Sequence, residues 1–131
     1  MAHATGTIGT THYAVTIDAS GHRILADEPP SRGGANAGPA PFDLLVAALT
    51  ACTSITLSMY ADHKRWDLKS LTVGVNLAGD EKDRRIDRTL HLEGNLTEEQ
   101  RSRLADVAER TPVTLTLKNG LPILTRLDPG P

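Results

Sequence analysis

Cysteine occurs once in this chain of 131 residues, at Cys52, and it is the one side chain whose setting could make it a nucleophile. A thiol reacts as its anion, so Cys52 would need a neighbouring cation, because it lies near the middle of a helix. Arg23, on an expected hairpin, and Arg32, in a Gly/Pro loop, could supply one if either folds over that helix. The plainer alternative stays open: a lone cysteine on an apolar helix serves as a small hydrophobe, and arginines outside a core are mostly solvated. The five histidines, His3, His12, His22, His63 and His91, show no ligand spacing. One cysteine cannot complete a structural zinc site, so no metal is expected. Gly33, Gly34 and Gly38 lack the Lys-Ser/Thr pair of a phosphate loop, and no cofactor is expected. Asp27 and Glu28 precede two prolines and Asp43 stands at a helix start, so the acids form no catalytic pair.

Cys52 is carried by the longest apolar stretch of the chain, PFDLLVAALTACTSITLSMYADHK from Pro41. Its length and its Leu and Ala content select helix over strand, from Pro41 to His63. Pro41 suits a first turn, Asp43 complements the positive end of the helix dipole, and Lys64 and Arg65 suit the negative end. At about 100° per residue, Cys52 shares a face with Leu45, Ala48, Leu49, Ile55, Thr56 and Met59, while Asp43 projects from the opposite side. The stretch approaches the length of a membrane span. The charges at its ends, the absent aromatic belt and the hydroxyls Thr50, Thr53, Ser54, Thr56 and Ser58 favour instead the buried core helix of a soluble protein.

A chain of this length is expected to form a single domain over 1–131. Aromatic residues make up only 3% of it, so its core must be built from Leu, Val, Ile and Ala. A helix apolar on all sides is hard to cover within one small domain, and a second copy is the natural cover, so a homodimer is expected. A formal net charge of −2 gives no basic surplus, which argues against nucleic acid as a partner. The opening MAHATGTIGT has no charged and then apolar leader, and a cytoplasmic location is expected.

In order, Thr7 to Asp18 reads as a strand, Ala19-Ser20-Gly21 as a turn and His22 to Ala26 as the second arm of a hairpin. Asp27 to Ala40 is a long Pro/Gly loop. After the helix, Leu71 to Leu77 and Ile86 to Leu92 read as antiparallel strands, with Leu90 and Leu92 inward, and Trp66 as a packing anchor. Thr97 to Gln100 is a capping box that starts a second helix whose apolar face includes Leu104, Val107, Ala108 and Thr111, with Pro112 breaking or bending it. Leu121 to Leu127 reads as a last strand. The sum is an α+β fold with mostly antiparallel pairing.

The run GGANAGPAPFDLLVAALTACTSITLSMYADHKRW resembles the OsmC/Ohr family (osmotically inducible protein C, organic hydroperoxide resistance), in which GP-x-P-x-[ED]-LL leads through AL-x-AC-T to TL-x-MYA-x-x-K-x-W. LEGNLTEEQRSRLADVAERTPVTLTL resembles the family's second helix, which runs into a CPV-x-x-TL motif, and PILTRL its closing strand. The resemblance covers nearly all of the chain from Asp27 onward. It implies an intertwined homodimer that reduces organic hydroperoxides for oxidative-stress defence, with Cys52 as the peroxidatic cysteine and an apolar pocket of Leu45, Leu49, Ile55, Met59 and partner residues. It also implies an arginine and an acid beside the thiol, for which Arg32, Arg23 and Asp43 are the candidates. The chain departs from the pattern at Thr111, where the family has its resolving cysteine, and at Thr114, where a histidine often follows. Two expectations result: a one-cysteine peroxidase reduced by an external thiol or dithiol, or a catalytically inactive binding or regulatory module for a small apolar ligand at the dimer interface.

Overall fold

The computed structural model describes residues 2–130. The chain divides into two compact units, one reaching to Ala48 and including Asn76–Ile86, the other made of Leu49–Val75 with the residues from Asp87 onward.

In the first unit, β1 (Ala4–Ile8), β2 (Val15–Ala19) and β3 (His22–Ala26) form an antiparallel sheet in the order β1-β2-β3. The single strand expected over Thr7 to Asp18 is in fact two. β1 folds back on β2, with Ile8 opposite Val15, so the chain must reverse between them. Gly9 and the polar residues after it make that reversal, closed by the Ala14 N–H donating to the Thr11 carbonyl at 3.2 Å. β2 and β3 are joined by Ser20 and Gly21 alone, with φ of 50° and 90°. Positive φ at both central residues is the turn that matches the twist of paired strands. Asp18 Oδ1 accepts the Gly21 N–H at 2.9 Å and holds it.

The Pro/Gly loop is tied to a buried carboxylate. Asp27, 2% exposed, accepts backbone N–H groups from Tyr13, Glu28, Ala35 and Ala37 at 2.7–3.2 Å. A short 3-10 turn, Pro30–Arg32, lies between them. Gly38 is required by close approach, since a Cβ there would overlap the Leu25 carbonyl. The loop delivers the chain to α1 (Pro41–Lys64), one residue longer than expected. Asp43 Oδ2 accepts the Ala40 N–H at 3.0 Å and so secures the first turn.

β4 (Asp67–Ala78) and β5 (Arg85–Asn95) pair in a two-stranded sheet, the larger part of which belongs to the second unit. α2 (Glu98–Ala108) opens with the expected capping box, Thr97 Oγ1 accepting the Gln100 N–H at 3.1 Å and Gln100 Oε1 accepting the Thr97 N–H at 3.0 Å. Leu57, Leu104 and Ala108 form the core, with Tyr60, Trp66, Leu71, Leu90, Leu92, Leu96 and Val107 packed on it. Trp66 meets Tyr60 edge-on at 5.5 Å, the anchor that was expected.

Three expectations are corrected here. α2 ends at Ala108, and Pro112 begins a further helix, α3 (Pro112–Asn119), for which Thr111 is the N-cap residue. Proline lacks only an N–H that a first helical residue has no use for. The strand expected over Leu121 to Leu127 is absent; the segment is irregular and open, with Leu124 95% exposed. Alternating side chains make a strand only where another strand is there to pair, and none of the described strands pairs with it. Nor is α1 buried on all sides. Its buried residues are Leu49, Thr53, Leu57 and Ala61, one row at i, i+4 spacing, while Ile55 and Met59 are 54% and 66% exposed.

The carboxyl of Asp27 is held below its ordinary value, chiefly by the Ala37 N–H and then by those of Glu28, Ala35 and Tyr13, against the opposing effect of burial. A carboxylate depressed in the fold stabilises it above the unfolded pKa of 3.8, and that contribution fades as pH falls through the lower folded value. Asp27→Asn is expected to lower the urea midpoint at pH 7 and to flatten the loss of stability below about pH 4 relative to the native chain. Parallel acid titrations of the two proteins, followed by circular dichroism, check this; superimposable curves would remove Asp27 as the loop's anchor.

Candidate functional site

Cys52 is half-buried, on the border between the inward row of α1 and its open apolar face. Among the described residues, two polar groups reach its sulfur. Thr56 Oγ1, one turn on, is 3.9 Å away, and the Val113 N–H donates to Sγ at 3.5 Å. Val113 is the second residue of α3, so its N–H is one of the first four in that helix, which have no carbonyl within it to bond. The positive end of a helix dipole favours negative charge, and here it faces a thiol.

Behind this contact lies a cation that the sequence reading missed. Arg88 is an inward residue of β5 with an 11% exposed side chain. Its Nη1 donates to Thr53 Oγ1 at 3.0 Å and to Thr114 Oγ1 at 2.9 Å. Its Nη2 donates to the Ala108 carbonyl at 2.8 Å and pairs with Glu109 Oε2 at 3.3 Å. Thr53 follows Cys52 and Thr114 follows Val113, so one planar group holds the residue next to each side of the sulfur contact. The hydroxyls pass the bonding on. Thr53 donates to the Leu49 carbonyl at 2.7 Å, Thr114 to the Ala108 carbonyl at 3.3 Å, and Thr111 Oγ1 is 2.6 Å from Thr114 Oγ1. The carboxyl of Glu109 is held below its usual range, first by a hydrogen bond from Lys118 at 3.0 Å and then by Arg88. A signal for Arg88 was present: it falls in phase with Ile86, Leu90 and Leu92, a charge at an inward position of an alternating strand.

The other candidates have their own partners. Arg32 Nε pairs with Glu28 at 2.8 Å, its side chain 75% exposed. Arg23 is exposed on β3, opposite Asp18 in the ladder, and Asp43 serves the first turn of α1. Of the expected pocket residues, Leu49 is buried in the inward row, Leu45 is half-buried, and Ile55 and Met59 are open. Thr111 is buried, at 1% exposure, two residues before the Val113 amide that reaches Cys52. A shallow open depression of about 410 Å³ is lined by Leu90, His91, Leu92, Arg101, Ser102 and Ala105, and contains none of the residues around the thiol.

Thr53→Val removes an acceptor and leaves an Arg88 donor buried without a partner. An unmet buried donor of this kind costs about 1–3 kcal/mol. Urea unfolding of the variant is expected to show a loss in that range, and an unchanged midpoint would mean that the Thr53 bond contributes nothing.

Solved structures share the fold. An OsmC-like protein from Mycoplasma pneumoniae superposes with a TM-score of 0.77 at 19% identity, over 90% of this chain and 87% of that one. An organic hydroperoxide resistance protein OsmC from Legionella pneumophila gives 0.66 at 21% identity, over 90% and 89%. An organic hydroperoxide resistance protein from Elizabethkingia anophelis gives 0.65 at 22% identity, over 91% and 89%. No curated protein sequence matches the chain. The family model described as OsmC-like protein matches residues 33–126, a span that holds Cys52, Arg88 and Thr111 together, and the chain belongs to the OsmC-like family.

Proposed function

We propose that this protein reduces organic hydroperoxides, with Cys52 as the peroxidatic thiol and an external thiol as the reductant. The observation that carries the reading is the Val113 N–H, directed from the first turn of α3 onto the Cys52 sulfur. The hydroperoxide resistance proteins among its structural relatives support the substrate class. In the first step the Cys52 thiolate attacks the terminal oxygen of the hydroperoxide and the O–O bond breaks. The alkoxide leaves as an alcohol after taking a proton, and Cys52 becomes a sulfenic acid. A family resolving cysteine would next close a disulfide, but Thr111 stands at that position and a hydroxyl cannot do so. Two equivalents of external thiol complete the cycle: the first forms a mixed disulfide with Cys52 and releases water, the second frees Cys52 and leaves as the oxidised pair.

The open apolar face of α1 beside the thiol, with Ile55 and Met59, favours alkyl over hydrogen peroxide, since apolar burial contributes about 0.8 kcal/mol per methylene. α1 as a whole is long and apolar enough by length and composition to cross a membrane, and its open face is covered, in this reading, by a second copy in a homodimer. Arg23 and Arg32 remain the candidates to orient the peroxide, and Asp43 the acid implied by the family motif.

Cys52→Ser is expected to abolish consumption of cumene hydroperoxide in the presence of a monothiol or dithiol while leaving the oligomer intact. Turnover by the variant at the native rate would remove Cys52 from the mechanism. No turnover by the native protein, shown to be folded and dimeric, would favour a ligand-binding module instead. Thr111→Cys is expected to gain a disulfide with Cys52 after one equivalent of peroxide, read as loss of both free thiols. Two thiols still titratable, or Cys52 trapped as a sulfenic acid, would show that the two positions do not meet.

A further inference from the structure

α2 and α3 both start on threonine, and the two threonines behave differently. Thr97, exposed, takes the N–H of Gln100 and caps α2 in the ordinary way. Thr111 has the same extended backbone, with φ −66° and ψ 154°, yet makes no side-chain cap to α3. A capping threonine would accept from the second or third N–H of its helix, here Val113 or Thr114. The Thr111 hydroxyl lies instead 2.6 Å from Thr114 Oγ1, and the Val113 N–H goes to Cys52.

The cause can be traced by counting protons. Arg88 can only donate, so Thr114 Oγ1 is an acceptor at that contact. With one lone pair of Thr114 Oγ1 taken by Arg88, its other lone pair and its single proton are shared between the Thr111 hydroxyl at 2.6 Å and the Ala108 carbonyl at 3.3 Å. Thr111 and Thr114 are buried, at 1% and 5% exposure. We propose that Arg88 is the positioning residue of the Cys52 site: by engaging Thr114 it draws the Thr111 hydroxyl off the start of α3 and leaves the Val113 amide free for the sulfur. The inference rests on Cys52 being the reacting thiol. Lysine cannot substitute, because one ammonium is a point and cannot reach Thr53, Thr114 and the Ala108 carbonyl as a planar fork does.

The test uses the alkylation of Cys52 by iodoacetamide, which needs no peroxide, so its outcome is separate from that of the peroxidase reading. Arg88→Lys and Thr114→Val are each expected to slow alkylation by about tenfold, the size of one hydrogen bond to a charged group. In the native chain the Val113 amide resonance is expected to shift on alkylation of Cys52, and in both variants this response is expected to disappear. Adding Thr111→Val to Arg88→Lys removes the hydroxyl that is then free to cap α3, and is expected to restore most of the rate. A general loss of packing would not be repaired by losing another hydroxyl. If Arg88→Lys fails to fold, Thr114→Val alone decides, since it keeps the arginine and removes the hydroxyl through which it reaches Thr111. Native alkylation rates in the folded single variants, a Val113 resonance that still responds, or no recovery in the folded double variant would each overturn the proposal.

Discussion

A guanidinium removed from water must have its donors met, and much of the second unit follows from meeting those of Arg88. Two hydroxyls, one carbonyl and one carboxylate converge on it from α1, from the end of α2 and its C-cap Glu109, and from the first turn of α3. The Ala108 carbonyl lies in the last turn of α2, where helix carbonyls lack partners of their own, so the cation satisfies a helix end while being satisfied by it. Glu109 and Lys118 continue the chain of charge outward to solvent. The alternative for such a group is an aliphatic residue of similar volume, which would pack as well but would carry no direction. Direction is what the arginine adds to a core otherwise built from Leu57, Leu104 and Ala108.

The first unit uses the opposite charge in the same manner. Asp27 is buried and met, among the described residues, by backbone amides drawn from a strand approach at Tyr13 and from both ends of the Pro/Gly loop. With so few aromatic side chains, neither unit can specify its irregular segments by bulk packing. Each relies on one ion whose bonds have fixed angles. This accounts for a long loop that keeps a defined path although its composition promises none.

Much of this was legible in the sequence where the determinants are local. α1 was bounded to within a residue because Pro41 and Asp43 are start signals and the cations at 64 and 65 are stop signals. The capping box at Thr97 was read for the same reason. The errors fall where the determinant lies elsewhere in the chain. Pro112 reads equally as an end or a beginning, and what makes it a beginning is the docking of α3 against Arg88. The strand over Leu121 to Leu127 has the right alternation but no partner, and alternation cannot report a missing neighbour. Arg88 carries its signal in its phase with Leu90 and Leu92, which marks it as inward, but the partners that meet its charge come from three other elements. At the site, the thiol and the buried position of Thr111 were legible, whereas the helix after Pro112 and the hydroxyl relay beside it are set by tertiary contacts and were not.

The open tail has a consequence for how the chain fares in a crowd. Leu121, Ile123, Leu124 and Leu127 present apolar side chains on a backbone whose polar groups no described strand has taken up. Such a segment adheres to any extended edge it meets, its own kind included, and the rate of those encounters rises with the square of the number of free chains. Pro122 and Arg126 interrupt it at two places and act as gatekeepers, lowering its appetite for wrong pairings without removing it. Whatever comes to lie along this tail therefore acts as a preservative for the molecule, and the time a new chain spends before finding that cover sets how much of it survives to work.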